Sequence, residues 1–318
     1  MRRLLAADWL GLLLLVVLGS AVLAAFHPAF LSGFNLYVLL VSFSLTALVA
    51  MAQMVIIAIG QMNLSVGAIG GIAAIAFAGG MEVWHLPPVL ALLLGLALGL
   101  GCGLVNGWLV RLTGISAFVI TLATLYIFKG AVIGISQAQP FYGLADSVKW
   151  LGNARLGPLP ALLLVPAIVL PLLALLMGRG VLGRQMLAYG GNPSAAELSG
   201  IATGRVVVAA HALSGVLAAL AGMLVAARLQ AGQPSIGDDW LIVSFAAPVL
   251  GGADLSGGHV SVAATALGVL VVSLINNALV LFGVDPFFVQ LFLGALILAA
   301  VGLNRLRELR SQALEARA

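Results

Sequence analysis

Two short stretches of this chain carry the same hydrogen-bonding groups at the same spacing. GQMNLSVG at 60–67 and GGADLSGG at 251–258 align as G-x-x-[N/D]-L-S-x-G, so Gly60, Asn63, Leu64, Ser65 and Gly67 correspond to Gly251, Asp254, Leu255, Ser256 and Gly258. Each stretch separates two apolar runs, the mark of a degenerate internal repeat. The residues support two readings. In one, Asn63 or Asp254, or the neighbouring Ser65 or Ser256, caps the helix that follows a tight turn. In the other, glycine breaks at corresponding places in two halves mark backbone that lines a pathway.

A third polar stretch, GRGVLGRQMLAYGGNPSAAELSGIATGR, occupies residues 178–205. Asn192-Pro193-Ser194 followed by Ala195, Ala196 and Glu197 reads as a helix start, with Asn192 or Ser194 as cap and Glu197 near the positive end of the helix dipole. Gly200 then ends the helix. The stretch has the character of a surface that touches another protein; the plainer alternative is a connecting loop in which Arg184 and Arg205 act as topology anchors. Its length favours contact, since most connections need only about 4–6 residues.

Few groups can do chemistry within the apolar runs. His211 and Lys129 are the ionisable candidates there, and neither has an obvious sequence partner; His211 reads as a hydrogen-bonded helix residue and Lys129 as a snorkelling one. No G-x-x-x-x-G-K-[S/T] occurs, and the Gly-rich loops lack a lysine and a preceding strand. The chain therefore cannot hydrolyse ATP alone, and neither catalysis nor a cofactor is expected. Energy for any transport must come from another subunit or from an ion gradient, and the latter would call for an acid or histidine inside the bundle.

The elements that carry these stretches are set by composition. Hydrophobic residues make up 63% of the 318, charged residues 8%, and mean hydropathy is +1.20, which excludes a soluble globule. No Asp, Glu, Lys or Arg lies between Trp9 and Met81, and the 39 glycines are small residues that let helices approach closely in lipid. The expectation is an all-α integral membrane protein with spans at 9–26, 37–59, 64–80, 88–110, 116–136, 158–177, 206–227, 240–252, 259–283 and 286–304, forming one polytopic transmembrane domain over 1–304 and a basic tail over 305–318. The third and eighth spans are short and could be broken or re-entrant.

Ten crossings place both termini on one side. If that side is cytoplasmic, it holds Arg2, Arg3, Arg111, Arg179, Arg184, Arg205, Arg305, Arg307, Arg310 and Arg317, whereas Lys129, Lys149, Arg155 and Arg228 lie nearer the other, as the positive-inside rule requires. Trp9, Trp84, Trp108, Trp150 and Trp240 fall near span ends. The net charge of +4 is scattered, so nucleic acid is not an expected partner. Arg2, Arg3 and the following apolar run imitate a signal peptide but read as a retained first span. Cys102, the single cysteine, excludes an intramolecular disulfide.

Four stretches in order carry a family resemblance: GQMNLSVGAIGGIAA, LAYGGNPSAAELSGI, APVLGGADLSGGHVSV and LINNALVLFGVDPF. The chain resembles the membrane permease subunits of bacterial ATP-binding-cassette importers for ribose and related sugars, and the resemblance covers nearly its whole length. Asn63 stands where that family commonly has Asp. The resemblance implies an inner-membrane permease that pairs with a second copy or a sister permease, with a cytoplasmic ATPase below and an extracytoplasmic sugar-binding protein above. It also implies that Asn192, Ser194, Ala195, Ala196, Glu197, Ser199, Gly200 and Ile201 form a coupling helix that fits the ATPase. A neutral sugar needs amide and hydroxyl partners, so Gln53, Asn276, Asn277 and Gln290, with Phe118 or Phe288 as stacking faces, are candidate pathway lining; helix-to-helix hydrogen bonds explain the same amides. The loops at 137–157 and 230–239 are expected to meet the binding protein, with Asp238 and Asp239 facing its rim. Branched-chain amino-acid permeases share the architecture and are the nearest alternative, and an ion-coupled carrier is the alternative from another class.

Overall fold

The computed structural model describes residues 8–285 together with 288, 291, 292, 294, 295, 298 and 302. Gln290, the basic tail and most of the span expected at 286–304 lie outside the described residues. Long apolar runs become helices: α1 Asp8–Phe26, α2 Gly33–Ala58, α3 Val66–Glu82, α4 Pro88–Thr113, α5 Ala117–Ser136, α6 Asp146–Asn153, α7 Leu164–Arg179, α8 Val181–Gly191, α9 Pro193–Leu198, α10 Thr203–Leu229, α11 Trp240–Leu250 and α12 Val262–Leu281. A two-stranded antiparallel turn, β1 Arg155–Leu156 with β2 Leu159–Pro160, precedes α7. Seven helices are long and apolar enough to cross a membrane, and α3 and α11 are shorter apolar helices. The described residues thus hold seven full-length candidates where the sequence suggested nine, because the third and eighth spans fall short.

Local signals set the boundaries. Ser32 accepts from Asn35 N–H at the start of α2, Pro88 opens α4, Gly114 closes it in the left-handed region, and Ser261 accepts from Ala264 N–H at the start of α12. A helix apolar all round suits either the middle of a bundle or a lipid-facing span, and burial tells the two apart. The second half of α2, from Ala47 through Ala58, is buried without interruption, as is nearly all of α3, whereas α1 lies at the periphery. The long α10 packs along α4, α3 and α2, and Gly215 of α10 lies against Gly99 and Gly103 of α4. With lipid tails as apolar as leucine, close packing of such small residues supplies the association that water expulsion supplies in soluble proteins.

Candidate functional site

Between α2 and α3 the chain leaves helical geometry, and side chains from four helices meet the polar atoms released there. Asn63 Oδ1 accepts from both the backbone N–H (3.0 Å) and the hydroxyl (2.8 Å) of Ser65. Asn63 Nδ2 donates to Ser214 Oγ on α10 at 3.2 Å, and Asn106 Nδ2 on α4 donates to Ser65 Oγ at 2.8 Å. Thr121 on α5 accepts from Leu64 N–H at 3.1 Å, and its one hydroxyl hydrogen is nearest Ala117 C=O of its own helix at 2.7 Å, with Met62 C=O farther off at 3.2 Å. Gln53 on α2, with its amide oriented to suit its neighbours, donates to the Asn63 carbonyl at 2.9 Å and accepts from the Asn63 N–H at 3.2 Å. His211 Nε2 on α10 lies 3.0 Å from Gln61 Oε1. Asn63, Ser65, Asn106, Thr121, Gln53, Ser214 and His211 are all buried. Non-helical backbone among apolar spans is tolerated where protein groups satisfy it, and here Gln53 pairs with the Asn63 backbone, Thr121 with Leu64 N–H and the Asn63 side chain with Ser65 N–H, while Asn106 Oδ1 and His211 Nδ1 have no partner among the described residues.

The second motif folds into the same turn in a different place. Asp254 Oδ1 accepts from Ser256 N–H at 2.9 Å and Ser256 Oγ at 2.6 Å, yet Asp254 and Ser256 are exposed. In both loops the Asn or Asp oxygen closes a turn onto the serine two residues later, and neither caps the next helix. No side chain caps α3, and Ser261 caps α12. The loops also touch. Gly258 N–H donates to Ala58 C=O at 3.1 Å, and a Cβ on Gly257, where φ is 98°, would stand 2.6 Å from Gly60 N and 2.9 Å from Gly190 Cα. Gly190 in turn abuts Ala58 and Gly258. The C-terminal end of α8 is therefore wedged between the two motifs.

From that wedge the chain passes directly into α9. Asn192 Oδ1 accepts from Ala195 N–H at 2.9 Å, selecting Asn192 as the cap and placing Ser194 inside the helix. Ser199 Oγ donates to Ala195 C=O, and the Gly200 and Ile201 N–H groups return to Glu197 and Ala196 carbonyls. Ala196 is buried, whereas Ser194, Ala195, Glu197 and Leu198 face outward, Leu198 at 90% exposure. The Gly-rich entry, read from sequence as loop, is itself the helix α8.

The segment at 230–239, expected as a surface loop, runs back along α3 instead. Gly232 pairs with Phe141 through two backbone bonds and lies against Ala74 and Ala78; Ile236 reaches Gly71 and Gly237 reaches Gly67. Asp238 consequently faces α5 and forms an ion pair with Lys129, whose ammonium also donates to Pro234 C=O at 2.7 Å. Lys129 thus has a carboxylate partner close by, which spacing along the sequence concealed. The two residues edge a cleft of about 130 Å³ walled by Leu64, Ala68, Leu125 and Leu241.

The candidate lining residues do not converge. Gln53 holds the first motif, as above. Asn277 exchanges two amide bonds with Asn35 of α2, at 2.7 and 3.0 Å, and among the described residues the partly buried Asn276 has an unpartnered Oδ1. Phe118 lies exposed on α5, on the helical face shared by Leu122, Leu125 and Lys129, and Phe288 is exposed elsewhere. Asn106, Thr121 and Ser214 escaped sequence reasoning; an amide or hydroxyl isolated within an apolar helix was the available signal.

The geometry has counterparts among known proteins. A family model described as the branched-chain amino acid transport system permease component matches residues 35–301. The ribose import permease of Bacillus subtilis is 37% identical over 93% of this chain and 91% of its own length. The D-allose transport system permease of Escherichia coli is 33% identical over 94% and 92%, and the autoinducer 2 import system permease of an Enterobacter strain is 33% identical over 91% and 90%. No solved structure gives a significant match. Both motif loops, the cleft and α9 fall within these matches, and the chain belongs to this family of multi-pass inner-membrane permease subunits of ATP-binding-cassette importers, which are transport subunits and not enzymes.

Proposed function

We propose that this chain translocates a small neutral sugar by alternating access, driven by a separate ATPase that presses on α9. Three curated relatives that import ribose, allose or autoinducer 2 match over about nine-tenths of both chains, which favours a sugar over a branched-chain amino acid. Ten spans with both termini in the cytoplasm put residues 178–205 on the ATPase side and obey the positive-inside rule. In this arrangement residues 1–304 form one permease domain, the tail at 305–318 anchors at the anionic leaflet, a second permease completes the pathway, and a binding protein delivers sugar from the other side.

The observation that carries the coupling role is the wedge of Gly190 between Ala58 and Gly258, immediately before α9. Asn192, Ser194, Ala195, Ala196, Glu197, Ser199, Gly200 and Ile201 form the lever, and the exposed Leu198 is its apolar anchor for a groove on the ATPase. A push on this lever displaces the ends of α2 and both motif loops together.

The test uses liposomes holding the importer assembled from this chain, its ATPase and its binding protein. ATP-dependent uptake of labelled ribose or allose, but not leucine, is the expected result; uptake of leucine alone overturns the sugar assignment. Glu197→Arg and Gly200→Trp are expected to insert normally and lose uptake by at least about 10-fold, the order of one or two lost interface contacts. Wild-type uptake in both removes α9 from the coupling role.

A further inference from the structure

We propose that Lys129 and Asp238 form a hydroxyl-binding subsite for the cargo as it passes the cleft. The inference rests on the sugar-import reading above. Lys129 lies inside the candidate span Ala117–Ser136, where a lone lysine costs about 2.5–3.5 kcal/mol on insertion scales and is retained for a purpose. Its side chain is 25% exposed and that of Asp238 54%, so the pair is open to the cleft. Two of the three ammonium donors are taken, by Asp238 Oδ1 and Pro234 C=O. The third donor and Asp238 Oδ2 have no protein partner among the described residues.

That combination suits a polyol. A hydroxyl accepts and donates at once, so a cargo hydroxyl placed between the two side chains accepts from Lys129 and donates to Asp238. The exchange leaves neither charge uncompensated, and the pair is neutral overall, as passage of an uncharged molecule requires. Leu64, Ala68, Leu125 and Leu241 offer an apolar wall for the C–H face of the same sugar. The cleft, at about 130 Å³, is smaller than the roughly 300–1,000 Å³ usual for sites that enclose a whole small molecule, the scale of a subsite that holds part of a sugar.

The experiment compares the assembled importer with two variants, Lys129→Met and the double variant Lys129→Met/Asp238→Leu. The double variant replaces both members with apolar groups of similar size, so that neither charge is left without its partner. Two quantities are read in liposomes with saturating ribose-loaded or allose-loaded binding protein: ATP hydrolysis stimulated by that protein, and labelled sugar delivered. The expected result is stimulated hydrolysis within about 2-fold of the unmodified importer and sugar delivery reduced by about 10- to 100-fold, the scale of one charge-assisted hydrogen bond. Wild-type delivery by the double variant overturns the subsite. So does a parallel fall of hydrolysis and delivery in both variants, which would make the pair a brace. An unmodified importer that delivers neither sugar overturns the sugar-import reading instead.

Discussion

The two motif loops are the same turn in opposite surroundings. In each, one side-chain oxygen accepts from the N–H and hydroxyl of the serine two positions on. At the first loop the oxygen belongs to Asn63, buried among α2, α4, α5 and α10; at the second it belongs to Asp254, exposed. The turn therefore requires an acceptor oxygen and not a charge. Either residue can supply it: the carboxylate of the second loop stays in water, and at the first loop, where the resembled family commonly has Asp, the amide fills the position without a buried charge and donates to Ser214 as well. The departure of Asn63 from the Asp common in the resembled family thus leaves the turn intact.

The sharpest way to break the comparison is to pry the loops apart. Gly257→Val places a β-branched side chain at φ 98° with its Cβ against the backbone of Gly60 and Gly190. Backbone strain of about 1–3 kcal/mol adds to the overlap, and we expect a total loss above about 4 kcal/mol, seen as failure to recover a monodisperse chain in detergent. A Gly257→Val chain that melts like the unmodified one would show that the loops do not touch.

A smaller effect separates the two turns. Asn63→Ala removes the acceptor from Ser65 N–H and Ser65 Oγ in a buried site and should cost about 2–4 kcal/mol, since unsatisfied buried groups forfeit their full desolvation. Asp254→Ala removes the corresponding bonds where water replaces them, and should cost about 0.5–1 kcal/mol. Melting in detergent, followed by tryptophan fluorescence, reads both. Equal shifts would mean that burial does not distinguish the loops.

What the sequence disclosed follows the same division. Lengths and breaks of apolar runs placed α4, α5 and α11 within a few residues of their observed bounds, because a span is a local consequence of hydropathy. The alignment of the two motifs was legible for a like reason. Their unlike burial was not, since it depends on Asn106, Thr121 and Ser214, which lie on three other helices. Lys129 was read as a snorkelling residue within a span and Asp238 as a loop charge, with nothing to join them, because the turn of 230–239 back along α3 is a tertiary event: it depends on Gly67 and Gly71 leaving room for a second backbone.

The smallest expected effect tests the acceptor argument most directly. Asp254→Asn keeps the oxygen that Ser256 needs and deletes only a charge already in water. The melting shift should stay below about 0.5 kcal/mol, the usual bound for surface changes, and sugar delivery per ATP should be unchanged. If Asp254→Asn instead cuts delivery while melting normally, the carboxylate acts on something outside this chain. The second loop, next to the wedge that leads into α9, would then be a contact in its own right, and the likeness between the motifs would end at the geometry of the turn.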